Sequence, residues 1–307
     1  MNGRLYIDGN DAFATYGVAV CKGGYDRLVE FPKPKAYTKN DWHERDGLEL
    51  DNSEMKFVNR TFPVNFVCHG TQKDYADFLD MLSSQVYHTF NFAVIEYVAT
   101  LRYVECSNYR QGRNFSTFTA TFADDGDVFD GYAYSDPDRS VYGDTDNYFN
   151  FGRFRQFGLS ILGNYKDELF KGTPVKKSLS ISRDGISGLW FDGDDSVAFS
   201  QRTSKLHFLM QSDSWDDLWT RWKALLYNFA QFKWHDLTIR RLSNYGIDIC
   251  LVSMNVEQLL VGSGKVMVKF ALEVYTDTKE FERETTALES ETEAVVVTED
   301  GYLIEMV

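Results

Sequence analysis

Two histidines of this chain adjoin residues that could share chemistry with them. Cys68-His69 pairs a thiol with an imidazole, the combination that holds zinc or activates a nucleophile. Neighbours on a strand face opposite sides of the sheet, so ordinary packing is the expected role. In "WHER", His43 and Glu44 adjoin rather than taking the HxE spacing, and no PCxxC follows, so the zinc deaminase signature is missing. "VGSGKV" at 261–266 ends in Gly-Lys as a phosphate loop does. It lacks the GxxxxGK[ST] pattern and a following helix, and it reads as a hairpin turn between strands. Neither GxSxG nor HExxH occurs.

"DPDRSVYGDTDN" places Asp136, Asp138 and Ser140 at EF-hand-like spacing. Position six is Val141 instead of Gly and position twelve is Asn147 instead of Glu. A looser calcium site stays open there, against a solvated loop. Acids are too numerous and too loop-bound to single out a glycosidase pair. Trp215, Trp219 and Trp222 form a stripe that could grip a sugar or a partner helix. Helical amphipathicity predicts instead that it packs on the sheet of its own body. The expectation is a protein that is not an enzyme, with no catalytic, cofactor-binding or metal-ligating residues and no cofactor.

The elements that would carry such residues are those of a globular chain. Its 307 residues are 43% hydrophobic and 25% charged, enough to bury two cores of ordinary size. The four cysteines (Cys21, Cys68, Cys106, Cys250) form no CxxC pair and read as free thiols of a reducing cytosol. No stretch approaches the run of about 20 apolar residues that a membrane helix needs, and the opening lacks the continuous apolar run of a secretory signal. The net charge of −14 is unevenly placed. Residues 124–150 hold eight Asp against Arg139, and residues 277–307 hold ten acids against Lys279 and Arg283. The rest is near neutral, so no basic nucleic-acid footprint is present.

Landmarks recur in order along the chain. "GRLYIDG" at Gly3 is matched by "GRFRQFG" at Gly152, Arg45-Asp46-Gly47 by Arg183-Asp184-Gly185, and Arg60-Thr61 by Arg202-Thr203. An alternating run follows each Arg-Thr: Phe62, Val64, Phe66 in the first copy, and Leu206, Phe208, Met210 in the second. Each then meets a helix start. Thr71 precedes Tyr75, Phe78, Leu79 and Leu82; Ser214 precedes Trp215, Leu218, Trp219 and Trp222. Two further strands close each copy. The sequence is one design written twice.

The expected fold is therefore mainly β with one helix per repeat: two tandem β-sandwich or split-barrel domains, each helix across an open end or edge. The expected divisions are a first repeat at 1–123, an acidic connector at 124–151, a second repeat at 152–276, and an acidic spacer with a C-terminal hairpin about Glu299-Asp300-Gly301 at 277–307.

The opening "YIDGNDAFATYGVAV", the RDG turn after it, the strand near "NRTFPVNF" and the helix "DYADFLDMLSS" resemble the N-terminal domain of phage distal tail proteins, best over 1–123. The tandem repeat is similar to the arrangement of phage tail hub proteins. The resemblance implies a tail-tube-like fold and a structural virion protein that self-assembles into a ring, hexameric in the distal-tail case and trimeric in the hub case. Implied partners are the tail tube and the baseplate or tip proteins. DNA would pass through without specific binding, no membrane would be involved, and the protein would be made in the bacterial cytoplasm and reside in the virion tail. The rival reading is a carbohydrate-binding or adhesion module of two aromatic-rich sandwiches.

Overall fold

Alternation decides the long strands. Phe62, Val64, Phe66 and Cys68 point to one face and are all buried, as are Leu206, Phe208 and Met210 in the second half. The computed structural model describes residues 2–42, 45–51, 55–137, 147–176, 180–181, 185, 187–188, 190–191, 198–231, 234–239, 246–262, 264–276, 295–297 and 303–305.

The first half contributes β1 (Tyr6–Ile7), β2 (Asn10–Asp11), α1 (Ala12–Tyr16), β3 (Val18–Val20), β4 (Lys39–Asn40), β5 (Glu49–Leu50), β6 (Arg60–Cys68), α2 (Gln72–Ser83), β7 (His88–Phe92), β8 (Tyr97–Gln111) and β9 (Ser116–Asp124). The second contributes β10 (Tyr148–Phe149), β11 (Gly152–Arg153), β12 (Leu159–Ile161), α3 (Tyr165–Leu169), β13 (Ser180–Ile181), β14 (Trp190–Phe191), β15 (Arg202–Ser212), α4 (Trp215–Gln231), β16 (Trp234–Thr238), β17 (Ile247–Gly262) and β18 (Lys265–Thr276). A terminal hairpin pairs β19 (Val295–Val297) with β20 (Leu303–Glu305).

The chain is mainly β and builds two seven-stranded antiparallel sheets. Their orders are β2-β1-β7-β8-β9-β6-β3 and β11-β10-β16-β17-β18-β15-β12, one plan used twice. The likeness reaches single residues. β8 loses register at Val104 and β17 at Val252, the same place in each long hairpin. Gly17 and Gly158 follow α1 and a 3-10 turn (Phe154–Phe157) with φ of +68° and +64°. In each case the glycine carbonyl accepts from the residue after or at the end of the long strand, His69 or Gln211.

β8 pairs with β7 only through Leu101 and with β9 from Arg102 onward, so the sheet folds on itself. Phe90 of β7 then meets Phe122 of β9 edge to face at 4.9 Å. The helix closes the sandwich from inside. Phe78 of α2 lies 5.9 Å from both Phe66 and Phe118, so α2 covers the sheet face rather than an open end as the sequence suggested. Thr71 and Asp74 form a full reciprocal capping box, and Ser214 accepts from the Asp217 backbone at 3.1 Å.

Two sequence landmarks shift. The counterpart of the Tyr6–Ile7 strand is Tyr148–Phe149, not the stretch beginning at Gly152, because β10 and β11 together repeat the β1–β2 hairpin. β10 thus belongs to the second sheet although it falls inside the span read as connector. The helices align from their ends. Tyr75 packs on Phe118 as Trp222 packs on Phe270, which puts four of the five extra residues of α4 at its start and one at its end.

Candidate functional site

One face of α4 turns toward the first repeat. Trp222 packs edge to face on Phe270 of its own sheet at 5.0 Å, but its other side meets Phe31 at 4.7 Å and its Nε1–H donates to Val29 O at 2.8 Å. Trp219 lies 4.8 Å from Tyr97 and donates to Ile95 O at 2.7 Å. The tryptophan stripe expected to pack on its own body is thus shared between the two repeats. The periodicity showed an apolar face but not that it is wide enough for two clients. Each indole buries its ring while its N–H finds a carbonyl, which is what buried tryptophan requires.

The junction continues on both sides. A 3-10 turn (Asp26–Val29) packs against β17, where the Leu259 backbone hydrogen-bonds Asp26. Burial raises the Asp26 carboxyl despite Arg27 and that bond. Tyr37 donates its hydroxyl to Leu251 O, and burial pushes its pKa far up. The β4–β5 hairpin, whose turn holds Arg45-Asp46-Gly47 with Gly47 at φ +64°, docks on the second repeat. Gly47 donates to Phe199 O at 2.9 Å, and Phe199 donates back to Asp46 Oδ1 at 2.7 Å. Lys176, only 7% exposed, reaches into the same turn. Its ammonium donates to the carbonyls of Trp42, Arg45 and Gly47 at 2.7–2.9 Å and pairs with Asp41 at 2.6 Å. A desolvated lysine needs that many acceptors.

Between the repeats lies a cleft of ≈ 1110 Å³, walled by Phe57, Tyr97, Phe129, Trp219 and Tyr227 with Asp127 at its rim. The start of the connector crosses it. Phe129 meets Tyr227 edge to face at 5.3 Å, and Tyr134 stacks on Tyr227 at 5.0 Å. Burial raises the pKa of both Tyr132 and Tyr134.

Among the described residues, those singled out from sequence do not converge. Cys68 is buried at the end of β6 and donates to Tyr16 O at 3.5 Å, while His69 is exposed beside Phe13 and Phe115. "VGSGKV" is the β17–β18 hairpin, with Gly262 opposite Lys265 and Gly264 at φ +73°. Asp136 is exposed near the Tyr134 hydroxyl; Asp138, Ser140, Val141, His43, Glu44, Arg183 and Asp184 lie outside the described residues. Among the described residues no group of three or more His, Cys, Asp or Glu could hold a metal ion. All four cysteines are free thiols. No described helix is long and apolar enough to cross a membrane. What the junction does chemically is recognise protein surface, through aromatic rings, carbonyls and one sequestered lysine.

No family model matches the chain, and no curated protein matches it. Among solved structures it is similar to the Dit protein (gp 19.1) of SPP1, described as a paradigm of the hub adsorption apparatus in phages that infect Gram-positive bacteria. The two are 10% identical, the match covers 89% of this chain and 98% of that one, and the TM-score is 0.28. A superposition that loose carries no argument about fold or function.

Proposed function

We propose that the chain is a structural component of a phage or prophage tail, of the distal tail or hub type, which assembles into a ring joining the tail tube to the baseplate or tip. The observation that carries this reading is the junction. Two bodies of one plan lie side by side and meet through unlike faces, the 3-10 turn of one against α4 and β17 of the other, and the β4–β5 hairpin of the first against Lys176 and Phe199. Bodies joined through unlike faces go on adding until a rotation closes the series. The sequence resemblance supports the same reading, since "YIDGNDAFATYGVAV" is the β1–β2–α1–β3 run that opens the first sheet.

Each sheet with its long helix is one domain, 1–123 and 152–276 joined by the acidic span 124–151, with Tyr148–Phe149 completing the second sheet. If both repeats take places in one ring, three chains supply six bodies; if only the first does, six chains are needed. Acidic segments facing a channel would keep DNA from sticking, because phosphate contacts require Lys and Arg. Residence is the virion tail after assembly in the bacterial cytoplasm.

Negative-stain electron microscopy over a concentration series tests this. Hollow rings with six-fold or pseudo-six-fold averages are expected. Uniform single particles at the highest concentration count against it. The aromatic cleft favours a second reading, a glycan-binding module, since flat rings beside an acid suit sugar faces. A glycan array that retains the monomer, with loss on Tyr227→Ala, would move the function there.

A further inference from the structure

The junction inside the chain is a template for a contact between chains. Strand register lets each contacting residue be carried from one repeat to the other. β17 loses its neighbour β16 after Cys250, so among the described residues no strand lies along its free edge from Leu251 onward. The first repeat covers that edge. Leu251 and Met254 are buried, Tyr37 and Asp26 bond to the backbone there, and Val29, whose carbonyl accepts from Trp222, is 1% exposed. An edge covered by other structure is protected from unwanted pairing.

The counterpart edge is open. β8 parts from β7 after Leu101, and among the described residues no strand lies along Arg102–Gln111 on the side away from β9. Tyr103 and Cys106, the counterparts of Leu251 and Met254, are half-exposed, and Tyr109 is 37% exposed. On α2, Tyr75 holds the place of Trp222. It stacks near Tyr109 at 4.6 Å, forming an aromatic patch beside the open edge.

The covering piece also has a counterpart. α3 replaces the 3-10 turn, with Leu169 buried as Leu28 is, and Arg202 donates to Lys171 O as Arg60 donates to Glu30 O. Asp167 then stands where Asp26 stands, and Phe170 where Val29 stands. Asp167 is exposed, and Phe170 is a 50% exposed phenylalanine at a position that is buried in the first repeat. Gly172 takes the place of Phe31, so the bulk on this face comes from Phe170 instead.

We infer that α3 of one copy, through Asp167 and Phe170, docks on the β8 edge and the Tyr75–Tyr109 patch of a second copy. This rests on the ring reading and gives it a surface. The Asp167 carboxylate accepts from the Gln111 backbone of the neighbour, as Asp26 does from Leu259 within the chain. The contact is head to tail, so each copy offers one of each face and the series can close.

The test is a cysteine pair across the proposed contact. Chains carrying Gln111→Cys and chains carrying Asp167→Cys are mixed, oxidised and run on a non-reducing gel. Asp26→Cys with Leu259→Cys in one chain is the control, closing within the monomer if that geometry supports a disulfide. A dimer band in the mixture and in neither variant alone is expected, as is its loss on Phe170→Asp with thermal unfolding unchanged. A control that closes beside a mixture that does not overturns the contact. Hollow rings without the cross-link overturn the contact and leave the ring reading standing. The cross-link without closed particles keeps the contact and defeats the ring.

Discussion

Arg60 and Arg202 open β6 and β15 at the same point of the plan, yet they are held differently. Arg60 donates to Leu28 O, Glu30 O, the Tyr97 hydroxyl and Asp124 Oδ2, and its guanidinium lies 4.9 Å over the Phe62 ring. Thr276 takes the place of Asp124 opposite Arg202, which donates to the Thr276 hydroxyl at 2.7 Å and to Lys171 O at 3.1 Å. Burial works against the charge in both. Tyr97 and Asp124 outweigh it at Arg60, whose pKa is raised, while burial lowers that of Arg202. The two buried histidines repeat the pattern. His88 bridges Leu82 O and Asp8 Oδ2, and His235 bridges Phe229 O and Asn150 Oδ1, so each ties the end of the long helix to the first hairpin. Among the described residues, carboxylates help pin the skeleton in the first repeat, and the Thr276 hydroxyl and Asn150 amide stand in their places in the second. Duplication preserved the geometry of the pins and let their electrostatics diverge.

Removing the arginines should separate the repeats most. Arg60→Met strands Asp124 and two carbonyls in a half-buried site, and the loss is expected near 3–5 kcal/mol, the cost of breaking a buried pair from one side. Arg202→Met strands the Thr276 hydroxyl and the Lys171 carbonyl, and about 1–3 kcal/mol is expected. Urea unfolding of both variants checks the order. Equal losses would mean that Asp124 contributes no more than Thr276.

The paired glycines sharpen the comparison in the other direction. Both Gly17→Ala and Gly158→Ala force a side chain into the left-handed region, at about 1–2 kcal/mol. A Cβ at Gly158 would also meet the Gln211 carbonyl oxygen at 2.2 Å, whereas at Gly17 the nearest atom is the Gly70 nitrogen at 3.0 Å. The second repeat should therefore lose more. Thermal unfolding of the two variants reads the difference, and a larger loss at Gly17 would show that the β15 end yields more easily than the β6 end.

Much of this plan is legible in the sequence, because it is local. Alternation at Phe62–Phe66 and Leu206–Met210 gave the central strands, and the Thr71 and Ser214 caps gave the helix starts. The junction was not legible. Trp219 and Trp222 sit at helical spacing whether they face one sheet or two, and only the fold brings Val29 and Ile95 to their indole nitrogens. The cap-to-cap alignment of the helices also hid that Tyr75 corresponds to Trp222. That equivalence is set by Phe118 and Phe270, which lie far along the chain. The signal that could have helped was residue type: by that equivalence Trp219 stands where α2 has the exposed Gln72, an indole at a place where one sheet face needs no apolar side chain.

The smallest effect is expected from the histidine pins, and its sign follows from Asp8. Burial pushes the Asp8 carboxyl up, but the His88 and Thr89 hydrogen bonds outweigh it and hold it below 3.8, the usual value. A carboxylate depressed in the folded state contributes stability that is present above its ordinary value and is lost as pH falls through the lowered one. Acid should therefore loosen the tie between β1 and β7 in the first repeat, while the Asn150 tie in the second has no carboxylate to protonate. Asp8→Asn should flatten the acid limb of the stability curve, and Asn150→Asp should steepen it. Because Asp8 is partly exposed, solvent screens the effect and keeps it small. Amide exchange near Thr89 and Asp236, followed as pH is lowered, reads the two ties separately. Parallel loss at both sites would show that the acid response belongs to the shared skeleton and not to the carboxylate that distinguishes the first repeat.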